Sequence, residues 1–279
     1  MRKLLGKLKR LLHPQQPEAS MQTEPPAQNY GDRIAFSGDY PSWDAAVRSS
    51  TGYDAGVILD KTCAALLKVK NGEAVYERDS VLFDKIQHSF PVLAGLLRAA
   101  VVHEGRLSVV DFGGALGSSY FQCRGFLKPV AQLDWAVVDQ PAQVACGQAN
   151  FSSDQLHFHP AVEDCLSAYR PNVLLLSGVL PYLPAPYALL KQLLQHRISH
   201  VIIDRTAFLQ SDRERLTVQH VPSTIYSASY PACFFSESQF QAAFTSAGYR
   251  LVSDFAGADD LSPEGEQAVY KGFIYEWRG

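Results

Sequence analysis

Apolar and polar positions along the chain change their rhythm near residue 106. From about residue 32 to 105, apolar residues recur at helical spacing, which predicts helices near 43–47, 55–69 and 80–100. Farther along, apolar runs typical of buried strands alternate with helical stretches. The runs lie at 107–112, 134–139, 156–159, 172–177 and 200–204. This alternation predicts an α/β fold with a parallel sheet covered by helices on both faces.

The end of the chain follows a different pattern. Ser236 and Gln239 have capping-box spacing and predict a helix that ends before Gly248. Two further strands at 249–255 and 268–277 are joined by a polar loop with no crossover helix, so we expect antiparallel neighbours. The stretch 206–235 has no helical period and predicts a long irregular connection.

Charge is distributed unevenly along the 279 residues. The net charge is −3, but the first ten residues hold five cations and no acid, leaving 20 basic and 28 acidic residues in the rest. Such an acidic body argues against nucleic-acid binding, which requires a basic face. No apolar run approaches the roughly 18 residues of a membrane-spanning helix.

Residues 1–30 are predicted to lie outside the folded body. Five leucines line one face of a helix drawn over residues 1–13, with the five cations opposite, and a Pro/Gln-rich linker follows at 14–30. A short basic amphipathic helix is typical of peripheral contact with an anionic membrane surface. A solvated terminus is the alternative. The apolar stretches are too short for a secretory signal.

Cysteine and histidine positions argue against a disulfide framework and a metal site. The five cysteines are scattered, odd in number and never form CxxC, which favours a reducing, cytoplasmic location. His157 and His159 share one strand face, but no third ligand follows at a suitable spacing. We therefore predict no metal.

The most informative segment is VVDFGGALGSSY at 109–120. An apolar strand ends at Asp111, and glycines at 113, 114 and 117 form a turn before a helix that begins at Ser118. Glycines let the backbone approach a ligand, and the helix N-terminus offers free N–H groups. The dinucleotide fingerprint fails because Phe112 occupies its first glycine position. An acid at position 111 would repel a pyrophosphate and attract an ammonium group.

A second acidic residue, Asp139, ends the next strand, 22 residues after Gly117. Rossmann-like folds place an acid at this point, where its paired oxygens accept hydrogen bonds from the two hydroxyls of a ribose. Asp139 is therefore the predicted ribose ligand.

The glycine turn resembles motif I of the class I S-adenosylmethionine-dependent methyltransferases. Asp111, Gly113 and Gly117 match that motif; Ala115 departs from it, and we expect Gly114 to relax the turn. The resemblance implies a Rossmann-like seven-stranded sheet with a terminal antiparallel hairpin at 106–279. The helical pattern of residues 31–105 predicts a helical cap before it. The resemblance also implies S-adenosylmethionine as cofactor, held by the glycine loop and Asp139, with other contacts from Gln140, Ser177 and Gly178.

A wider resemblance covers roughly residues 30–279. The segments YERDSVLFDK (76–85), DFGGALGS, VLPYLP and the terminal YKGFIYEW are similar to those of a bacterial family of proposed methyltransferases. Genes of that family often lie among surface-polysaccharide genes, which implies a sugar or polysaccharide precursor as acceptor.

Several residues are candidates for the acceptor side. His220 is the preferred general base, with a structural histidine as the alternative, and Tyr182 follows the fourth strand as a functional or packing residue. The predicted substrate contacts are Arg78, Asp204, Arg205 and Tyr226. Arg78 and its neighbour Asp79 could equally form a surface cluster at a helix start.

These features together predict an enzyme that transfers a methyl group to a hydroxyl or amino group of a small molecule. One alternative is a nicotinamide-dependent sugar oxidoreductase or epimerase, which is opposed by Phe112, Asp111 and the lack of a Tyr-x-x-x-Lys pair. The other is a cofactor-binding module without activity, because methyl transfer needs no fixed catalytic triad.

Overall fold

A mixed seven-stranded sheet forms the centre of the protein. The computed structural model describes residues 33–52 and 55–279. The amphipathic segment at 1–13 and the linker at 14–30 lie outside the described residues, so membrane contact through them stays a prediction. Among the described helices, none is both long and apolar enough to cross a bilayer.

The described residues form twelve strands and eight α-helices. The strands are β1 (Ala35–Ser37), β2 (Tyr76–Arg78), β3 (Val81–Phe83), β4 (Arg106–Phe112), β5 (Gln132–Val138), β6 (Leu156–His159), β7 (Val173–Ser177), β8 (His200–Leu209), β9 (Arg215–Val221), β10 (Ala228–Phe234), β11 (Tyr249–Ala256) and β12 (Ala268–Trp277). The helices are α1 (Trp43–Arg48), α2 (Ala55–Asn71), α3 (Phe90–Val102), α4 (Ser118–Leu127), α5 (Pro141–Asn150), α6 (Val162–Tyr169), α7 (Pro186–Leu194) and α8 (Glu237–Ser246).

The large sheet has the strand order β11-β12-β8-β7-β4-β5-β6. Neighbours from β8 to β6 are parallel, while β12 runs antiparallel to both β8 and β11. The predicted seven-stranded Rossmann-like sheet with its terminal antiparallel hairpin is confirmed. Its strand order reverses between β4 and β7, and ligands of open α/β sheets bind beside such a switch point, at the carboxyl ends of the strands.

Alternate residues of the central strands pack into two separate hydrophobic cores. On β4, Val110 belongs to a cluster with the apolar residues of α7 and α8, whereas Val109 belongs to a cluster with those of α3 and α4. This is the two-residue period of a strand that is buried on both faces. Helices therefore cover both sides of the sheet, and its carboxyl edge is left for the site.

The region before residue 105 departs from the prediction of one long helix over 80–100. That prediction was wrong: β2 and β3 form a hairpin, and α3 begins only at Phe90, with Pro91 in its first turn. Proline has no N–H to donate, so it is accommodated at a helix start, where that N–H would be unpaired. Three helices and three short strands occupy residues 33–105. The division into a cap and a main domain stays a prediction.

The prediction of an irregular connection over 206–235 was also wrong. Strand β8 continues to Leu209, and β9 and β10 pair antiparallel and form a three-stranded sheet with β1. Pro231 makes the strand β10 hard to predict, because proline within an apolar run argues against a strand. It lies on β10, an edge strand, where a missing N–H costs no ladder hydrogen bond.

Candidate active site

The glycine turn between β4 and α4 is shaped by two close approaches. Gly113 has φ of 73°, and a Cβ there would lie 2.3 Å from Cγ2 of Val179. A Cβ on Gly114 would lie 2.5 Å from Cγ of Asp111. Side chains at either position would push the turn away from the sheet edge. The turn is therefore a backbone-lined cradle at the switch point.

The Asp111 carboxyl lies beneath this turn. It is 1% exposed, and its Oδ2 accepts a hydrogen bond from Nε1–H of Trp135 at 3.0 Å. Burial raises the pKa of Asp111 to about 7, with a further contribution from the nearby charge of Asp139 and partial relief from the Trp135 N–H. The carboxyl supports the turn from below, and its attraction for a ligand ammonium group stays a prediction.

Asp139, at the end of β5, is tied to the same turn. Its Oδ2 accepts from the N–H of Ala115 at 2.8 Å and its Oδ1 from the N–H of Gln140 at 2.6 Å. Ala115 has φ of 50°, so this bond holds a non-glycine residue in the left-handed region. A carboxylate has about four acceptor positions, so roughly two remain for a diol. The structure thus brings the two predicted cofactor elements together.

Glu77 is a further carboxylate at this turn, and the sequence reasoning missed it. It is 1% exposed on β2; its Oε2 accepts from Oγ–H of Ser118 at 2.7 Å and its Oε1 from the N–H of Ser80 at 2.6 Å. Burial raises the pKa of Glu77. Ser118 opens α4, whose cap residue Gly117 provides no side-chain acceptor.

The glycine turn is therefore surrounded by three carboxyl groups, those of Glu77, Asp111 and Asp139. Within residues 33–52 and 55–279, none of the ion pairs closer than 4.0 Å involves them. Negative charge without a cation in direct contact repels anions and attracts cations. The turn is thus poorly suited to a pyrophosphate and well suited to a cationic group.

The loop after β7 lies between the glycine turn and the neighbouring strand β8. Ser177 pairs with Asp204 across β7 and β8, and the N–H of Gly178 donates to the Asp204 carbonyl at 3.0 Å. The Arg205 guanidinium carbon lies 3.7 Å from where a Gly178 Cβ would be. The Arg205 guanidinium therefore lies next to Gly178, at the distance of an ordinary van der Waals contact.

Arg205 is the centre of a charged group in the middle of β8, next to the carboxyl end of β7. Its Nη2 lies 2.8 Å from Oδ2 of Asp79, and its Nε lies 3.5 Å from Oδ2 of Asp259. Asp204 is 8% exposed, and burial raises its pKa. The guanidinium of Arg78 lies over the Phe83 ring, 5.7 Å from its centroid. Of the predicted substrate contacts on β2 and β8, Arg205 is the one that forms salt bridges within the described residues, with Asp79 and Asp259.

Three tyrosines and one glutamine form a hydrogen-bonded chain next to this group. The hydroxyl of Tyr182 donates to Oε1 of Gln219 at 2.8 Å, and Nε2 of Gln219 donates to the Tyr230 hydroxyl at 3.3 Å. The Tyr226 and Tyr230 hydroxyls are 3.5 Å apart. Tyr182 is 40% exposed and packs edge-on against Tyr230. The structure thus brings together Tyr182 and Tyr226, which lie far apart in sequence.

His220 is not part of this chain. On β9 it is paired with Ala35 and Ser229, whereas Gln219 is paired with Phe36 and Tyr230. Directly paired residues share a face of a sheet and consecutive residues do not, so His220 faces away from Tyr182 and Tyr230. Its Nε2 lies 2.8 Å from Oγ of Ser37. This geometry favours a structural role, while the general-base role stays an untested prediction.

His157 and His159, considered for a metal, both contact a tyrosine. His157 stacks on Tyr169 at 4.7 Å between ring centroids, and Nε2 of His159 lies 3.2 Å from the Tyr169 hydroxyl. In the part of the chain that the structure describes, no cluster of three or more His, Cys, Asp or Glu residues is arranged to hold a metal ion.

Comparison with known proteins yields structural neighbours but no family. No protein-family model matches the chain, and no curated protein matches its sequence. Solved structures do resemble it. The N-terminal domain of EvdMO1, crystallised in the presence of SAH and D-fucose, is 14% identical over 81% of this chain and 98% of its own, with a TM-score of 0.45.

Two further neighbours are named as methyltransferases. The 1,6-didemethyltoxoflavin-N1-methyltransferase of Burkholderia thailandensis is 15% identical over 82% of this chain and 95% of its own, with a TM-score of 0.38. Magnesium protoporphyrin IX methyltransferase from Synechocystis is 13% identical over 82% and 99%, with a TM-score of 0.42.

Proposed function

We propose that the protein transfers a methyl group from S-adenosylmethionine to a hydroxyl or amino group of a small molecule, a sugar or polysaccharide precursor. The observation that carries the proposal is the glycine turn at the switch point, surrounded by three carboxyl groups without ion-pair partners in the described residues and joined to Asp139 at the next strand end. S-adenosylmethionine matches it because it carries an ammonium group, a sulfonium and a ribose diol but no phosphate.

The residues that would hold this cofactor have distinct tasks. Gly113, Gly114 and Gly117 let the turn pack closely against the sheet, so that its backbone can line the methionine part of the cofactor. Asp139 accepts from the ribose hydroxyls, and Gln140, Ser177 and Gly178 flank them. The cofactor supplies an electrophilic methyl group, so the protein mainly has to orient the acceptor and exclude water.

The acceptor would bind where Arg205 and the tyrosine chain meet. Carboxylates, a guanidinium and phenolic hydroxyls offer both hydrogen-bond donors and acceptors, and tyrosine rings pack against apolar C–H faces. Such a mixture suits a polyhydroxylated molecule. Tyr182 would contact the acceptor with its exposed part rather than act as a base, because burial raises its pKa far above neutrality.

Thermal stabilisation by ligands tests the choice of cofactor. S-adenosylhomocysteine at one hundred times its dissociation constant stabilises a one-site protein by about 2.7 kcal/mol, a melting shift of about 5 °C for a chain of this size. NAD, which carries a pyrophosphate, is expected to give no shift. A shift with NAD and none with S-adenosylhomocysteine would favour the oxidoreductase alternative and reject the proposal.

Turnover separates an enzyme from a cofactor-binding module. Labelled S-adenosylmethionine is incubated with panels of neutral sugars, amino sugars and nucleotide sugars, and methylated product is counted. Stoichiometric cofactor binding without product from any panel would favour the module.

The acceptor found in that screen also tests His220. Its position on the far face of β9 leads us to expect that His220→Ala changes turnover by no more than about threefold. A general base would instead contribute about 10²–10⁴. Ser37→Ala is the matched control, because it removes the same hydrogen bond and leaves the imidazole in place. A hundredfold loss in His220→Ala alone would restore the general-base role.

A further inference from the structure

The hairpin of β2 and β3 contains the buried carboxylate of Glu77, and the hairpin could form without the negative charge of that group. Its two turn residues, Asp79 and Ser80, have φ of 51° and 67°, the left-handed conformation that glycine usually supplies. Glu77 stabilises the turn by accepting the Ser80 N–H, and it also accepts the Ser118 hydroxyl. Both donors are neutral groups.

A glutamine could make the same two hydrogen bonds. Its amide oxygen would accept from Ser80, and its amide N–H would donate to the Ser118 oxygen, which can act as acceptor as well as donor. The carboxylate is desolvated at 1% exposure and has no ion-pair partner within 4.0 Å among the described residues, so only the helix N-terminus and the more distant Arg205 guanidinium offset the cost of burying its charge. That cost suggests a role for the charge outside the fold.

The position of Glu77 indicates what that role is. Its Oε2 contacts Ser118, the first residue of α4, directly after the glycine turn. A negative charge here is favoured by the helix dipole and adds to those of Asp111 and Asp139 around the same turn. Methyl transfer removes one positive charge from the cofactor, because the sulfonium becomes a neutral thioether while the acceptor gains the methyl group and releases a proton.

We propose that Glu77 is a positioning residue of the cofactor site, which holds the start of α4 through Ser118 and whose charge favours the cationic cofactor over its neutral product. This inference rests on the proposed function. It assigns to Glu77 a contribution to exchange of S-adenosylhomocysteine for S-adenosylmethionine after each turnover.

The test compares two ligands that differ in charge. Sinefungin carries an ammonium group in place of the sulfonium methyl, and S-adenosylhomocysteine is neutral at that position; both are titrated calorimetrically into the full chain. In Glu77→Gln we expect the preference for sinefungin to fall about threefold to tenfold, a typical effect of one partly screened charge. The melting temperature of the ligand-free variant should stay the same or rise. Glu73→Gln, an exposed residue outside the site, is the control.

A second variant separates charge from geometry. Glu77→Asp keeps the charge but shortens the side chain, so it should lower both affinities and the melting temperature while retaining most of the preference. An unchanged preference in folded Glu77→Gln overturns the inference, as does an equal loss of preference in Glu77→Asp. If neither ligand binds the wild-type protein, the proposed function itself fails.

Discussion

Replacement of Asp139 by alanine is expected to weaken binding of S-adenosylhomocysteine by about 10- to 100-fold. The charge-assisted hydrogen bonds from a ribose diol contribute about 1.5–3 kcal/mol, and each 1.4 kcal/mol corresponds to a factor of ten. The same carboxylate also accepts the N–H groups of Ala115 and Gln140. Its loss therefore removes a ligand contact and loosens the turn at once.

Two further variants separate these contributions. Asp139→Asn keeps one acceptor oxygen for the N–H of Ala115. Its affinity for S-adenosylhomocysteine should lie between those of Asp139→Ala and the wild type. Asp134→Ala, on the same strand but toward its other end, is the control, because its carboxylate accepts only from Gln132 in the described residues. Affinities come from calorimetry and ligand-free stability from thermal melts. Asp139→Ala with an affinity within twofold of wild type would remove Asp139 from the site.

The strands and the glycine turn could be predicted because local pattern determines them. The strands β4, β5 and β7 are largely apolar runs that are followed directly by glycine or aspartate. The turn needs glycine at positions where a Cβ would overlap Val179 or Asp111. Ser236 likewise caps α8 through Gln239, a contact within one helical turn. Each of these features can be recognised within a short run of consecutive residues, although the contact that requires glycine at position 113 is with the distant Val179.

The hairpin of β2 and β3 could not be predicted in the same way. Asp79 and Ser80 are uncommon in the left-handed conformation and look like a helix start. They adopt it because one carboxylate oxygen of Glu77 accepts the Ser80 N–H. The other oxygen of Glu77 accepts the hydroxyl of Ser118, which lies 41 residues from Glu77 in sequence. The importance of Glu77 therefore follows from packing between distant segments, and no sequence spacing reports it.

The residues proposed to contact the acceptor could be selected from the sequence only in part, for the same reason. Arg205, at the end of the fifth apolar run, and Tyr226, in the stretch after it, were predicted as substrate contacts. The structure places Arg205 beside Asp79 and Tyr226 beside Tyr230. Gln219 and Asp259 were missed. Selection of Gln219 over its neighbour His220 depends on the register between β9 and β10, which assigns each residue to one face of the small sheet.

Asp111 is expected to make both stability and cofactor affinity depend on pH near neutrality. Burial raises its pKa to about 7, above the ordinary value of 3.8, so the folded state binds this proton more tightly than the unfolded state. Stability from this group therefore falls as pH rises from about 4 to 7 and is constant above. Between pH 5.5 and 8 the loss is about 2 kcal/mol, or roughly 4 °C in melting temperature.

The variant Asp111→Asn isolates this contribution. Buried histidines such as His200 titrate with the opposite sign, because burial lowers their pKa and stability is lost as pH falls below the unfolded value near 6.5. The histidine contributions are the same in the two proteins, so they cancel in the difference between the melting temperatures of wild type and Asp111→Asn. We expect the variant to melt higher than wild type at pH 8 and nearly equally at pH 5.5.

Ionisation of Asp111, which lowers the stability of the ligand-free protein, should strengthen cofactor binding. A bound ammonium group and sulfonium favour the ionised carboxyl, so binding near pH 6.5 should release a proton from Asp111, and affinity should rise by up to about tenfold per pH unit below pH 7. Calorimetry in two buffers of different ionisation enthalpy measures the released proton directly. In Asp111→Asn the release should vanish and affinity at pH 8 should fall, so the substitution that stabilises the ligand-free fold weakens the site. Equal proton release in the two proteins would show that Asp111 does not respond to the cofactor.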